Sequence, residues 1–349
     1  MRKPVRIAAA LALLGLAAGG AVIGFGLYNV SARIGHVAPV YWALHTTYEQ
    51  NVRLRAETEV PPGLDDPGLI RLGAGHFDSA CRFCHASPGE DQSATAQAMN
   101  PAPPHITQAV APWAPGHLHW IVDNGVKMSG MPHWPTQGRD DDVWAVVAFL
   151  AAVPGMSAGD YAALTASPAT GGPEGLGYCA TCHGIDGRAG GNPHLPRLDL
   201  QSARYLQDAL AAYRNGARES GIMHHAARQV PEAALPALAA WYAGQPSGAG
   251  GDSAAAAALP GAALAAAGDD KQPSCRACHG PWPAPRNPAF PNLAGQPAPF
   301  LAAQLRLWRD GIRQGGGPQA GLMRAAAADL TDAEIDALAT YYAALPPAE

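Results

Sequence analysis

The sequence predicts an all-α chain of three tandem units behind one N-terminal membrane-spanning helix, on three observations. The word Cys-x-x-Cys-His occurs at Cys81–His85, Cys179–His183 and Cys275–His279, and it uses all six cysteines. An uncharged apolar run from Ile7 to Val30 follows Arg2, Lys3 and Arg6. Residues 192–242 recur in 287–342, so part of the chain is duplicated.

The repeated word has a chemical reason. On a helical turn, positions i, i+3 and i+4 share a face, so two thiols reach the vinyl groups of a porphyrin while the histidine meets its iron. Cys81, Cys84, Cys179, Cys182, Cys275 and Cys278 therefore read as the thioether positions of three covalently bound haem c groups, with His85, His183 and His279 as iron ligands. Structural zinc would want four ligands converging in one small unit, whereas these cysteine pairs lie roughly a hundred residues apart. A disulfide framework would not call for a histidine after every second cysteine.

From the N-terminus, the 24 residues Ile7 to Val30 rise roughly 36 Å as a helix, enough to cross a ~30 Å hydrocarbon core. A cleavable signal is the competing reading, but its apolar core is normally only ~7 to 15 residues. Basic residues before the span put the N-terminus in the cytoplasm and the rest outside, with Tyr41 and Trp42 near the interface. This predicts a single-pass protein of the bacterial inner membrane with its haem domains in the periplasm. Residues 31–60 read as a stalk separating anchor from haem, and Pro61-Pro62-Gly63 with Asp65-Asp66-Pro67 opens the first unit.

Leu69, Ile70, Leu72, Gly73, His76 and Phe77 have helical spacing up to Cys81, and a second helix over Asp141 to Val153 closes that unit. In the duplicated pair, Tyr205, Leu206, Leu210, Tyr213, Arg214 and Gly216 match Phe300, Leu301, Leu305, Trp308, Arg309 and Gly311 at an offset of 95. Beyond extra residues at Gly315–Pro318 the offset becomes 100, pairing Met223 with Met323 and Trp241-Tyr242 with Tyr341-Tyr342. The Ala/Gly/Pro/Ser-rich stretch from Gly244 to Gly268 reads as linker and then a helix from about Pro260. The expected divisions are anchor and stalk at 1–50, then units at 51–165, 166–245 and 246–349.

Aromatics are only 7% of residues, while 40 Gly and 33 Pro demand much loop, so a haem in each unit would supply core that side chains do not. Net charge is −5, and residues 51–165 carry six basic against twelve acidic groups. With Lys3, Lys127 and Lys271 the only lysines, the chain lacks the basic footprint of a nucleic-acid binder.

Each iron's second ligand is read as Met131, Met223 and Met323, which lie 46, 40 and 44 residues after the three histidines in loops before a final helix. A single methionine is more often a soft core filler, but three of seven at equivalent positions point to ligation. Met128 competes with Met131, which is favoured because Pro132 stiffens its loop. Bis-histidine ligation through His133, or through His224 or His225, is the other reading. His36, His45, His76, His105, His117, His119 and His194 are assigned to the surface or to supporting positions. Each ligating histidine needs a backbone carbonyl on its other ring nitrogen, expected from Pro103 or Pro104, Pro196 and Pro291.

Together these features resemble class I cytochromes c, in which a first helix ends in Cys-x-x-Cys-His, proline and methionine loops follow, and the last helix crosses the first. Gly73 and Phe77 stand where that family places its helix-crossing glycine and aromatic, whereas Gly171 and Gly175, or Ala267 and Lys271, precede the other two words. The tandem pair is similar to two-haem respiratory cytochromes, and Gly125–Pro132 to the cytochrome subunits of periplasmic alcohol and aldehyde dehydrogenases. Iron closed by histidine and thioether leaves no site for substrate, which implies an electron carrier and not an enzyme. The expected role is a membrane-tethered relay from a dehydrogenase or quinol-oxidising complex to a terminal oxidase or soluble cytochrome. The rival is a multihaem peroxidase or reductase with one open haem iron.

Overall fold

The computed structural model describes residues 2–127, 129–167, 171–248, 250–282, 286–315 and 319–347, and every regular element among them is a helix. The first, Arg2–Gly24, ends short of Val30, where Gly26 turns the chain at φ +63°. Its segment Lys3–Gly24 has mean hydropathy 2.2 and buries nothing against the rest of the protein. Its 22 residues rise about 33 Å, long and apolar enough to cross a bilayer.

The expected stalk is largely a helix docked on the first unit. Ala38–Arg55 places Tyr48 and Val52 on one face, four residues apart. Val52 is fully buried, Tyr48 meets the Trp113 ring edge-on at 5.9 Å, and the Arg53 guanidinium lies 5.5 Å from that ring. The helix thus runs through the division expected at residue 50, while Tyr41 and Trp42 remain exposed.

Pro67–Ala80 begins the first unit. Its start is set by Pro67 and by the Asp66 carboxylate, which accepts from the Gly68 and Leu69 amides at 2.6 and 3.1 Å. It crosses Asp140–Ala152 at Gly73, where a Cβ would overlap the Ala145 carbonyl. One turn on, Phe77 packs on Phe149 with ring centroids 5.0 Å apart. Three aspartates in the first turn of Asp140–Ala152 complement its dipole. Ala158–Thr165 closes over the pair, its Tyr161 hydroxyl donating to Asp78 at 2.8 Å.

In the duplicated units the long helices are Ala203–Arg214 with Leu235–Ala243, and Ala298–Arg309 with Asp332–Ala344. Leu206, Leu238 and Tyr242 centre one core, and Leu301, Ile335, Leu338 and Tyr342 the other. The repeated arginines explain part of the sequence match. Arg214 donates to the Ala227 and Val230 carbonyls at 2.7 and 2.9 Å, and Arg309 pairs with Asp332 at 2.8 Å. The first helices differ from that of the first unit. Leu176–His183 is short and starts at Gly175, left-handed at φ +84°, so this glycine caps the helix instead of serving a crossing. In the third unit, Gly261–Ala267 starts after Pro260 as expected but stops at Gly268, φ +67°, before Arg276–His279 begins. A further helix, Ser253–Ala257, occupies the expected linker.

The three units are in contact. Gln201 bonds the amide and carbonyl of Asn292 at 3.0 and 2.8 Å, and Gln296 bonds those of Arg197 at 3.0 and 2.7 Å. These glutamines are 95 residues apart, as are Arg197 and Asn292, so the duplicated units meet about a local pseudo-twofold. Arg218 and Arg313, also 95 apart, stack on Tyr213 and Trp308, each at 4.4 Å, and share Gln304 Oε1. The first unit joins the second through Asn192, which donates to the Gly68 carbonyl at 2.9 Å, and through His194, 3.3 Å from Asp66.

Three candidate haem-attachment sites

Each haem word occupies a helical turn, which brings its cysteines and histidine to one side. Arg82–His85 follows Pro67–Ala80 directly, Cys179 to His183 lie within Leu176–His183, and Arg276–His279 stands alone. Burial raises the Cys81 thiol to about 12 and the Cys179 and Cys182 thiols to about 11.

The histidines are held as ligands require. His85 Nδ1 donates to the Pro104 carbonyl at 2.8 Å and His279 Nδ1 to that of Pro291 at 2.9 Å, which leaves each Nε2 lone pair free. His183 faces the Pro196 carbonyl, which raises its pKa, but its Nδ1 lacks a closed hydrogen bond. Burial nonetheless lowers His183 to about 4, and lowers His85 and His279 too, keeping the imidazoles neutral. The carbonyls that accept from His85 and His279 are those expected from the proline positions. Gln92 adds a support that spacing did not reveal, donating to the Cys84 and Pro103 carbonyls at 2.9 and 2.8 Å and tying the first haem word to its proline loop.

Met131, Met223 and Met323 are half-buried. Met131 lies in a loop as expected, its amide donating to Ser129 Oγ at 3.1 Å; Met128 falls outside the described residues. The other two lie on short helices, Gly221–Gln229 and Ala320–Ala327, and not in loops. Ser220 explains the first of these, because its hydroxyl caps the helix and accepts from the Met223 amide at 3.1 Å. His133 Nδ1 bonds the Trp134 carbonyl at 2.7 Å and His224 Nδ1 that of Tyr213 at 2.9 Å. His76 and His119 are buried. His76 packs between Trp134 and His225, at 4.9 and 5.7 Å, and burial then the nearby His225 lower it to about 3.

The sites lie close to neighbouring units. A Cβ on Gly75, in the helix leading to Cys81, would stand 3.0 Å from Cys182 Sγ. Cys278, His279 and Trp282 line a cavity of about 260 Å³ whose other wall is Asp199, Gln201, Ala243 and Gln245 of the second unit. Paired thiols on one turn beside a histidine, its Nδ1 bound at His85 and His279, fit covalently held haem c, whose iron would need the free Nε2.

Residues 68–150 and 256–341 match the family described as cytochrome c oxidase, cbb3-type, subunit III, and residues 177–241 the family described as cytochrome c. The thiosulfate dehydrogenase electron acceptor of Stutzerimonas stutzeri is 35% identical over 216 residues, 60% of this chain and 94% of that protein. Its namesake from Thiomonas intermedia is 37% identical over 172 residues, 48% of this chain and 78% of that one. The chain belongs to the class I cytochrome c family. Cytochrome c4 of Stutzerimonas stutzeri is also similar, 33% identical over 48% of this cytochrome and 83% of that one. Membership accounts for the all-α units, implies covalently bound haem c and supports electron transfer as the activity.

Proposed function

We propose that this cytochrome is a membrane-tethered, three-haem relay that takes electrons from a periplasmic dehydrogenase and passes them to a terminal oxidase or a soluble cytochrome. The three haems would be held by Cys81, Cys84 and His85, by Cys179, Cys182 and His183, and by Cys275, Cys278 and His279, with Met131, Met223 and Met323 closing the irons. Bound haem supplies an iron that cycles between ferric and ferrous states. The chain's residues keep the imidazoles neutral by burial, orient them through the proline carbonyls, exclude substrate with the methionines and keep the units docked.

The observation carrying this reading is the approach of the haem words to neighbouring units, Cys182 to the helix before Cys81 and Cys278 to the cavity walled by the second unit. Stepwise hopping needs that proximity. Helix Arg2–Gly24 supports tethering in the bacterial inner membrane, with units near 51–165, 166–245 and 246–349 on the periplasmic side. Two relatives named as thiosulfate dehydrogenase electron acceptors favour a dehydrogenase over a quinol-oxidising complex as donor, and thiosulfate as the first substrate to test.

The test mixes the oxidised protein with a thiosulfate dehydrogenase and thiosulfate and follows haem reduction by stopped flow. Reduction of all three haems within the turnover time of the enzyme is expected. No reduction removes this donor, and rapid peroxide turnover by the cytochrome alone overturns the role of pure conductor.

A further inference from the structure

We propose that Arg139, Asp142 and Ser220 form a clamp through which the first unit positions Met223, making sulfur ligation of the second haem depend on docking of its neighbour. The proposal rests on the reading of Met223 as an iron ligand. Its geometry is a chain of buried hydrogen bonds crossing from one unit to the next.

Ser220 Oγ accepts from the Met223 amide at 3.1 Å and donates its single proton to Asp142 Oδ2 at 2.9 Å. The same carboxylate oxygen lies 3.5 Å from the Ile222 amide. Asp142 Oδ1 accepts from Arg139 Nη2 at 2.6 Å, and Arg139 reaches on to the Glu219 carbonyl and to Asp141. Glu219, Ser220 and Ile222, all within four residues of Met223, are thus gripped by two side chains of the first unit. Arg139, Asp142 and Ser220 are 6, 7 and 3% exposed, so water does not compete for these bonds.

A second contact reinforces the clamp. Trp134, three residues after Met131, lies against Gly221, where a Cβ would overlap its indole. The methionine segments of the first two units are therefore packed together. Among the described residues the third unit shows no such device: Gln319, the cap of Ala320–Ala327, offers no side-chain bond, and the Met323 amide goes to the Gln319 carbonyl at 3.3 Å. A thioether is a weak acceptor, so what keeps it on iron against a stronger external ligand is the placement of its backbone.

The test titrates the ferric, haem-loaded full chain with imidazole and follows the weak red-edge sulfur-to-iron absorption. Ser220→Ala and Asp142→Ala are expected to raise imidazole affinity at one haem on the order of tenfold, the effect of losing one buried charge-assisted hydrogen bond, and to leave the other two unchanged. Ser220→Thr, which keeps the hydroxyl, should titrate as the wild type does, and adding Asp142→Ala to Met223→Ala should change nothing further. If Asp142→Ala does not fold, Ser220→Ala, which removes only one oxygen, carries the test. Wild-type titration in Ser220→Ala, or equal loosening of all three haems, overturns the clamp. Met223→Ala that keeps full red-edge absorption instead overturns the ligand reading itself.

Discussion

At Gly73 there is no room for a side chain, because the Ala145 carbonyl occupies the space a Cβ would need. Gly73→Ala should therefore push two helices apart and destabilise the first unit by about 1–3 kcal/mol, read from denaturant unfolding with haem in place. The methionines give a second prediction at this scale. Replacing Met131, Met223 or Met323 singly with alanine should each remove about a third of the red-edge absorption, and an unchanged spectrum in any one would return that iron to a histidine. Gly73, Phe77 and the Pro104 and Pro291 carbonyls that accept from His85 and His279 were legible in the sequence, because their chemistry is local and a few residues define it. Gln92 and Ser220 were not, since what they bond is fixed by folding. Nothing in the spacing of Asp142 and Ser220, 78 residues apart, says that they meet.

Helices make up the next scale, and there length and neighbours decided what periodicity alone did not. The 31–60 segment reads as a stalk, yet Tyr48 and Val52 give Ala38–Arg55 one apolar face, which Trp113 covers. Val52→Asp would bury an unpaired carboxylate, so the helix should detach. Limited proteolysis between Ala56 and Asp66 should then quicken by an order of magnitude or more, while the haem spectrum stays unchanged. Met223 and Met323 were expected in loops from their place before the final helices, yet both lie on short helices. In the second unit the Ser220 hydroxyl starts that helix by capping it. Glycines mark the other misfit: Gly175 and Gly268 sit at positive φ and shorten the helices before the second and third haem words.

For the whole molecule, the duplication visible at an offset of 95 turned out to be a contact as well as a repeat. Gln201 and Gln296 each satisfy an amide and a carbonyl of the opposite unit. Gln296→Ala would leave the Arg197 amide and carbonyl unpaired at about 1–3 kcal/mol, and calorimetry should show the third unit melting ahead of the rest. Docking of the first unit should respond to pH. His76 is buried at that contact with its pKa lowered from 6.5 to about 3, so its neutral form stabilises the folded state fully above pH 6.5. This stability is lost as pH falls toward 3, and amounts to on the order of 2 kcal/mol by pH 5, because the unfolded chain takes up the proton first. His76→Phe should flatten thermal stability between pH 7.5 and 5; a slope equal to wild type would assign the acid sensitivity elsewhere. The threefold Cys-x-x-Cys-His word was legible because five consecutive residues define it, whereas the faces by which units dock are spread over many residues. The central claim, three haems fixed to one chain, is tested most directly by the mass of the purified protein after denaturation and extraction with acidified organic solvent. The account predicts the polypeptide plus three haem masses, and a smaller increment, or haem released into the solvent, would contradict it.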